Sequence, residues 1–369
     1  MSRFATELGA SPGRGAYAES REAGALLDEC RARINRLING EDPRHVIFTL
    51  NASDALNLAI RGVLRPGDHV ITTWMEHNSV LRPLNHLAQT RGIEQTRVQC
   101  DPVTGLVEPD DIARAIRPDT RLIALVHSSN VTGTLQPVAE IGRIARQRDI
   151  AFLVDAAQSI GHVPLDVQRS AIDLLAFPGH KGLLGPLGTG ALYIRPGMEQ
   201  RMQTIREGGT GSVSERDVQP DFLPDRFEAG SHNAVGIIGL SAGVAWLLER
   251  GIEQIWQHEQ RLMEIMVSGL SDIPGLTLYG PQGCEDRTGV FSVRVAGIGT
   301  PQDLSNRLEM EHGLLTRSGL HCAPLAHRTV GTAQLGGTTR LSFGPFLQVA
   351  DIERALQGLA AVARAQAVA

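Results

Sequence analysis

The sequence is poor in cysteine, in aromatic residues and in excess positive charge. It contains only four cysteines among 369 residues, at Cys30, Cys100, Cys284 and Cys322. They are too scattered to indicate a disulfide framework or paired metal-binding cysteines, so we expect no metal site. Such sparse cysteine use is typical of proteins kept in a reducing compartment, and we expect a cytoplasmic protein.

The composition gives no indication of a surface that binds nucleic acids or membranes. Aromatic residues make up 4% of the chain and the formal net charge is −5. Stacking platforms need more aromatic residues, and phosphate-binding surfaces need an excess of basic ones. The sequence also lacks an apolar run of membrane-spanning length and a signal-peptide hydrophobic region near its start. We therefore expect neither nucleic acid nor a membrane as a partner.

What the chain does have is an alternation of apolar strand patterns and amphipathic helix patterns. Strands followed by helices in this way predict an α/β fold with a mainly parallel sheet. A length of 369 residues exceeds what one core usually supports, so two domains are expected. We place a large domain at residues 1–250 and a smaller α/β domain at residues 251–369.

The most informative stretch is Ile172–Gly190, in which an apolar strand leads to Lys181 and a loop rich in glycine and proline. A strand buried on both faces delivers this lysine to a place where small neighbours let a ligand approach. Partial loss of solvent lowers the pKa of a lysine and frees its amine to form a Schiff base. A surface lysine on a glycine-rich loop is the ordinary alternative.

A second strand pattern, Ala151–Asp155, ends in a carboxylate. Ligands of open α/β sheets bind at the carboxyl ends of the strands, so Asp155 and Lys181 are expected to border one crevice. Pyridoxal phosphate (PLP) needs an acid that keeps its ring nitrogen protonated and a lysine that binds its aldehyde. Asp155 alone would also suit a helix N-cap, but the pair favours PLP.

The strings VDAAQS (Val154–Ser159) and GHKGLLGPLGTG (Gly179–Gly190) resemble the class V aminotransferase family, in particular its cysteine desulfurase and selenocysteine lyase branch. The resemblance extends from about Gly13 to the end of the chain. It implies the PLP-dependent transferase fold type I. That fold has a large domain with a mainly parallel seven-stranded sheet and a small C-terminal α/β domain.

One phosphate-binding element is visible from the residues themselves. The strand pattern His45–Leu50 is followed by small polar residues and a helix, which would present free N–H groups to an anion. We assign Ala52 and Ser53 to the PLP phosphate. An ordinary N-cap at Ser53 is the alternative that the sequence leaves open.

The resemblance implies further roles in cofactor binding. It places His77 on the pyridine ring, Asn130 on the side of the phenolic oxygen, Gln158 at O3′ and His180 at the phosphate. Ser231 matches a position that reaches the phosphate of a neighbouring subunit, which implies a homodimer with shared sites. Taken singly, His77 would more often be a helix-start or surface residue, Asn130 would suit a turn, and the loop of Ser231 could be a flexible surface loop.

Cys322 lies in a predicted exposed loop, where the usual interpretation of cysteine as a small buried residue fits poorly. We expect Arg317, His321 and His327 nearby to favour its thiolate. The resemblance implies that this thiol attacks the sulfur of the substrate. The reaction expected is removal of sulfur from L-cysteine, which gives L-alanine and a persulfide on Cys322, with a protein as possible sulfur acceptor.

Arg340, in the predicted strand near Thr339–Phe343, suits the α-carboxylate of an amino acid because a guanidinium matches a carboxylate bidentately. Arg317 is the second arginine implied by the resemblance, and Asn130 is grouped with them as substrate-binding. Either arginine alone would be an ordinary surface ion pair. A selenocysteine lyase or C–S β-lyase of the same family is the first alternative function, and a non-catalytic scaffold of the same fold is the second.

Two departures from the family pattern bear on these expectations. Pro178 stands two residues before His180, where many desulfurases carry Ser or Thr, so one phosphate contact is expected to be lost or replaced. The D-N-A-A-T-like motif that generally lines the substrate pocket of family members is not found in this sequence. Either the start of this sequence is truncated or the pocket is more open than usual, and we expect substrate affinity to be affected more than the fold.

Overall fold

The computed structural model of the chain describes residues 1–12 and 15–368. Seven strands form the first sheet, with the spatial order β1-β7-β6-β5-β4-β2-β3, and β7 runs antiparallel to its two neighbours. Their bounds are β1 Val46–Thr49, β2 His69–Thr73, β3 Glu94–Val98, β4 Thr120–Val126, β5 Ala151–Asp155, β6 Leu174–Pro178 and β7 Gly190–Ile194.

Helices cover both faces of this sheet, because its strands are apolar on both sides. Phe152 and Leu153, neighbours on β5, belong to two different hydrophobic clusters on opposite faces. The helices of this part are α1 Ala18–Leu37, α2 Ala52–Val63, α3 Asn78–Arg91, α4 Pro109–Ala115, α5 Val138–Gln147 and α6 Ala234–Arg250. The predicted sheet of seven mainly parallel strands is confirmed.

The C-terminal part forms a second, antiparallel sheet with the order β10-β11-β9-β8 and a hydrophobic cluster of its own. Its elements are α7 Ile252–Ser271, β8 Leu276–Tyr279, β9 Val290–Val295, α8 Pro301–His312, β10 Arg317–Gly319, α9 Pro324–Thr329, β11 Thr338–Ser342 and α10 Val349–Val368. The smaller α/β part expected at the C-terminus is therefore present. The proposed boundary at residue 250 coincides with the break between α6 and α7, but it stays a prediction.

The two sheets meet along a seam of backbone hydrogen bonds beside the carboxyl end of β4. Thr288 N donates to Gly133 O at 2.9 Å and Leu135 N donates to Asp286 O at 2.9 Å. Gly133 has φ +77°, and a Cβ there would lie 2.7 Å from Val290 O. Only glycine permits this approach, so the seam fixes how the small sheet stands over the large one.

Within the described residues, no single helix is both long and apolar enough to cross a membrane. In the described part of the chain, one helix pair, α6 and α7, reaches that length and composition together, and it is bent by 80° at its junction.

Candidate active site

The carboxyl ends of the parallel strands open onto a cavity of about 350 Å³. Each strand delivers its polar residues there, because parallel strands end at the same edge of a sheet. Nine of the residues predicted from the sequence, or flagged there as a departure, line this cavity: Ala52, Ser53, His77, Asn130, Asp155, Gln158, Pro178, His180 and Lys181. Residues as far apart in the sequence as Ala52 and Lys181 thus line one cavity.

One end of the cavity is formed by the first turn of α2. The Asn51 side chain caps this helix by accepting a hydrogen bond from Asp54 N at 3.0 Å. The first N–H groups of the helix have no partner within it, and they carry the positive end of its dipole. Ala52 and Ser53 therefore form a site suited to an anion, and their assignment to a phosphate stays a prediction.

His77 forms another part of the wall and caps α3. Its Nδ1 accepts from Ser79 N at 3.1 Å, so the proton of the neutral ring is on Nε2. Burial, together with the positive charges of Lys181 and Arg317, lowers the pKa of His77 to about 4. At neutral pH the cavity is thus bordered by an uncharged, flat ring, as stacking on an aromatic ligand requires.

Asp155 and Lys181 carry the opposite charges of the cavity. Asp155 is 3% exposed, and its Oδ1 accepts from Ala157 N at 2.9 Å. Burial raises the pKa of this carboxyl, against the opposing effects of that hydrogen bond and of Lys181. The Lys181 side chain is accessible through the open cavity, yet surrounding protein atoms lower the pKa of its ammonium group. Asp155 opposes this shift, and Arg340 and Arg317 add to it.

His180 has a buried Nδ1 without a hydrogen-bond partner among the described residues. Burial, followed by the charge of Lys181, lowers the pKa of its ring. A buried polar atom on a cavity wall is costly unless a ligand or water satisfies it. Its position on the cavity wall with Ala52 and Ser53 makes an anionic ligand the best match.

Asn130 and Arg340 join the cavity to the small sheet. Arg340 Nη1 donates to the backbone carbonyl of Asn130 at 2.9 Å, and Arg340 Nε is buried without a partner among the described residues. Burial, followed by the positive charge of Arg317, lowers the pKa of Arg340 to about 10. Arg317 and Arg340 stand directly opposite each other on β10 and β11. Like charges in that arrangement repel, so a bound carboxylate would relieve the strain.

A second cavity, of about 520 Å³, runs between the two sheets. It shares Gln158 and Lys181 with the first cavity and reaches Arg340. The lysine and the arginine therefore border one continuous space, in which an amino acid would reach both.

Cys322 is exposed on the loop that follows β10, and its Sγ lies 3.5 Å from Arg317 Nη2. The two histidines expected to favour its thiolate do not serve that purpose. Burial lowers the pKa of His321 to about 3 and that of His327 to about 4, so both are uncharged at neutral pH. Their rings bond to Thr338 and Thr332 instead. That part of the expectation is wrong, and Arg317 is the cation that contacts the thiol.

The remaining cysteines differ from Cys322 in their surroundings. Burial raises the pKa of Cys30 and of Cys100 to about 12, and both side chains lie in the core of the large sheet. Thiols of that kind are inert at neutral pH. Cys284 is partly exposed, and burial raises its pKa too.

Ser231 does not line either cavity of its own chain and is exposed. The loop that carries it is held by Glu228, which bonds bidentately to Arg31 with both distances at 2.6 Å. Glu228 also accepts from Phe48 N at 2.6 Å, on the strand that leads to the α2 site. The loop is thus anchored to helix α1 and strand β1 of the large sheet.

Two residues at the site were missed by the sequence reasoning. Ser79 lines the cavity and links His77 Nδ1, at 3.0 Å, to Ser53 Oγ, at 2.6 Å. Glu76 is fully buried and accepts from Thr73 Oγ1 and Val126 N, and burial raises its pKa to about 8. The polar run after β2 held a signal for both, because neighbours of a helix cap usually carry local hydrogen bonds.

Comparison with known proteins places this site in a family. Residues 1–355 match the sequence pattern of the family described as aminotransferase class-V. The chain belongs to the class-V aminotransferase family. Two relatives are a probable cysteine desulfurase of Methanothermobacter thermautotrophicus and a cysteine desulfurase of Yersinia pseudotuberculosis. The first is 37% identical and the alignment covers 93% of this chain and 85% of the relative. The second is 36% identical, with 94% and 84% covered.

Solved structures agree with this assignment. The apo structure of a cysteine desulfurase from Thermococcus onnurineus NA1 matches with a TM-score of 0.91 and 32% identity, and 99% of this chain and 90% of that one are covered. An Escherichia coli cysteine desulfurase in an S-sulfonic acid form matches with a TM-score of 0.84 and 28% identity, with 99% and 89% covered. The class-V chain described here therefore has the fold type I expected from its sequence.

One of the two departures noted in the sequence is Pro178. It lines the cavity and has neither a hydroxyl nor an N–H group to offer a ligand. Ser53 and Ser79, which are bonded to each other at 2.6 Å, present hydroxyl groups on the wall of the same cavity.

Proposed function

We propose that this chain is a PLP-dependent cysteine desulfurase that converts L-cysteine to L-alanine and a persulfide on Cys322. The observation that carries the proposal is the cleft itself. A lysine of lowered pKa and a buried carboxylate lie on one side, and an exposed thiol beside an arginine pair lies on the other. The names of the relatives point to the same reaction.

The residues of the first cavity fit PLP. Its phosphate would be held by the N–H groups of Ala52 and Ser53 and by the unpartnered Nδ1 of His180. Asp155 would face the ring nitrogen, and His77 and Gln158 would hold the ring and its hydroxyl side. When bound, the cofactor supplies an aldehyde that condenses with amines and a pyridinium ring that accepts electrons.

Lys181 and Arg340 would handle the amino acid. The lowered pKa of Lys181 favours its uncharged amine, which is the form that binds an aldehyde or takes the Cα proton of a substrate. Arg340, with Nε unpaired, would bind the α-carboxylate bidentately, and Arg317 adds a second positive charge. Asp155 would keep the ring positively charged while the Cα proton is away.

Cys322 would then receive the sulfur. Its thiolate attacks the Sγ of the substrate, an S–S bond forms, and the C–S bond breaks with its electron pair moving to the carbon. One proton delivered to that carbon, Cβ, and one returned to Cα complete alanine, and the sulfur stays on Cys322 as a persulfide. Exposure of Cys322 leaves the persulfide accessible to an acceptor thiol or protein.

The test compares wild type with Cys322→Ala, each loaded with PLP, on L-cysteine and on selenocysteine. We expect wild type to form alanine from cysteine and to gain the mass of one sulfur at Cys322. The variant should keep its visible cofactor absorption but lose turnover on cysteine. Full cysteine turnover by Cys322→Ala would refute the role of the thiol. Activity of both proteins on selenocysteine alone would favour a selenocysteine lyase instead.

We also propose that the working unit is a homodimer, in which Ser231 of one subunit contacts the phosphate bound by the other. The support is that Ser231 is exposed and lies outside the cavities of its own chain, on a loop anchored by Glu228. Sedimentation of the holoprotein should give the mass of two chains. Ser231→Ala should weaken PLP binding, and a monomer with full affinity for PLP would contradict this assembly.

A further inference from the structure

The turn that carries Cys322 has an unusual backbone. It spans Leu320–Ala323 and is closed by a hydrogen bond from Ala323 N to Leu320 O at 2.9 Å. Its two central residues have positive φ angles, 49° at His321 and 60° at Cys322. That pair of angles is typical of type I′ turns, which glycine and asparagine usually occupy. Residues with larger side chains avoid this region, so other contacts must hold this thiol turn in place.

Two donors from the large sheet bind both central carbonyls of the thiol turn. Asn130 Nδ2 donates to His321 O at 2.6 Å, and the backbone N–H of Asn78 donates to Cys322 O at 2.8 Å. Asn78 is the first residue of α3, directly after His77, and Asn130 follows β4. Both donors therefore stand on the same sheet edge as the cofactor site.

Asn130 is well fixed for this purpose. It is 5% exposed, and its backbone carbonyl accepts a hydrogen bond from Arg340 Nη1. The preceding residues are held as well, because Ser128 Oγ bonds to Thr288 Oγ1 at 2.7 Å and Ser129 Oγ accepts from Val131 N at 3.2 Å. A side chain anchored in this way directs its amide group with little freedom, which makes it an effective clamp.

We propose that the N–H of Asn78 and the side-chain amide of Asn130 are positioning groups that hold Cys322 in its left-handed conformation beside Arg317. The inference deepens the proposed function, since it assumes that the Cys322 thiol is the sulfur acceptor. In this arrangement the thiol takes its position from the edge of the sheet that binds the cofactor. The two reacting parts of the cleft are thereby held at a set separation.

The sharpest test removes the backbone N–H of Asn78 and leaves the other donor, the side-chain amide of Asn130, in place. Proline is well tolerated at the first position of a helix, which Asn78 occupies. The preceding His77 has ψ 155°, as a residue before proline requires. Asn78→Pro therefore deletes the donor to Cys322 O while α3 is kept, and Asn78→Ala is the matched reference that keeps the N–H.

Hydrogen exchange at the amide of Ala323 reports on the turn directly and needs no substrate. We expect exchange about five to ten times faster in the Asn78→Pro holoprotein than in Asn78→Ala, as loss of one hydrogen bond implies. With L-cysteine, kcat should fall by a similar factor relative to Asn78→Ala, while KM changes less than about twofold because Arg340 is untouched.

Asn130→Asp provides a second test that does not depend on proline. It keeps the shape of the side chain but removes the donor to His321 O, and faster exchange at Ala323 is again expected relative to wild type. Equal exchange rates at Ala323 in Asn78→Pro and Asn78→Ala, together with a wild-type rate in Asn130→Asp, would overturn the proposal. If wild type itself released no sulfur from cysteine, only the proposed function would fall, since the exchange rates still decide the clamp.

Discussion

The two sides of the cleft are built in different ways. The cofactor side, formed by the residues of the first cavity, stands at the ends of parallel strands that topology places side by side. The thiol side, formed by Arg317, Cys322 and Arg340, stands on a small antiparallel sheet and a left-handed turn. Hydrogen bonds across the seam hold it in place.

This difference suggests a division of labour. On the cofactor side the strands of the large sheet fix the separations, so each side chain needs few contacts of its own. On the thiol side a pair of like charges and a strained turn depend on partners elsewhere. We therefore expect mutations on the cofactor side to abolish chemistry altogether, and mutations on the thiol side to separate one step from another.

The largest effect should come from Lys181→Ala. Loss of the amine removes both the covalent link to the cofactor and the base for the Cα proton, so alanine formation should fall by about 10³- to 10⁴-fold. The measurement is alanine released from L-cysteine, together with the mass of the protein after borohydride treatment in the presence of PLP. Wild type should retain the mass of the cofactor and Lys181→Ala should not.

Cys322→Ala is the matching variant on the thiol side. It should keep the borohydride-trapped cofactor that Lys181→Ala loses. If both variants lost the trapped cofactor, the two sides of the cleft would not be separable, and the comparison would fail.

Arg340→Lys should have the next largest effect. A lysine keeps the charge but loses the planar pair of donors. Because hydrogen bonds to charged groups are worth about 1.5–3 kcal/mol, kcat/KM for L-cysteine should fall by roughly 10- to 100-fold. Most of the change should appear in KM. Arg317 is exposed, contacts Cys322 Sγ and lines neither cavity, whereas Arg340 lines the second cavity, so Arg317→Lys should lower kcat/KM less. An equal loss in both variants would contradict the separate roles.

How much of this was predictable follows from the same contrast. The strand Ala151–Asp155 has the predicted bounds, because a continuous apolar run marks a buried strand. The strand Glu94–Val98 was missed, since it is half exposed at the sheet edge and its letters, EQTRV, carry no apolar alternation.

The site divides in the same way. The sequence alone predicts that Asp155 and Lys181 lie close together, because each stands at or just after the end of a buried strand pattern of a parallel sheet. The surroundings of Cys322 could not be predicted in this way, since His321 looks like a neighbouring cation in sequence but turns into the core toward Thr338. The hydrogen bonds from Asn78 and Asn130 to the thiol turn join residues far apart in the chain, so no local sequence pattern indicates them.

Asp155→Asn tests how much the buried charge of Asp155 lowers the stability of the cofactor-free protein. Burial raises the pKa of Asp155 above its ordinary value of 3.8 in the folded protein. A raised pKa means that stability is present at low pH and is lost as the pH rises through the folded-state value. The cofactor-free variant should therefore be more stable than cofactor-free wild type at neutral pH, by on the order of 1 kcal/mol.

Thermal unfolding of both cofactor-free proteins from pH 4 to pH 8 measures this difference. The advantage of Asp155→Asn should shrink toward the acid end, where the wild-type carboxyl is protonated too. The same variant should bind PLP more weakly, since the ring nitrogen loses its charged partner. A stability difference that does not depend on pH would show that the carboxylate is not strained in the folded protein.

The smallest expected effect links the two sides through charge alone. Burial lowers the pKa of Lys181, Asp155 raises it, and Arg340 and Arg317 lower it again. Arg317→Gln removes one of these charges, so the pKa of Lys181 should rise and less free amine should be present at pH 7. Cofactor uptake there should slow by a factor of about two to three, in line with the 0.2–1 kcal/mol of exposed charge pairs.

Because Arg317 also attracts the anionic cofactor from solution, the rate alone is ambiguous. Steering alters the rate at every pH alike, whereas a shifted lysine moves the midpoint of the pH profile. Stopped-flow absorbance on adding PLP to the cofactor-free proteins, between pH 6 and 9, should place the midpoint of Arg317→Gln above that of wild type. An unmoved midpoint would mean that the thiol side exerts no electrostatic influence on the lysine.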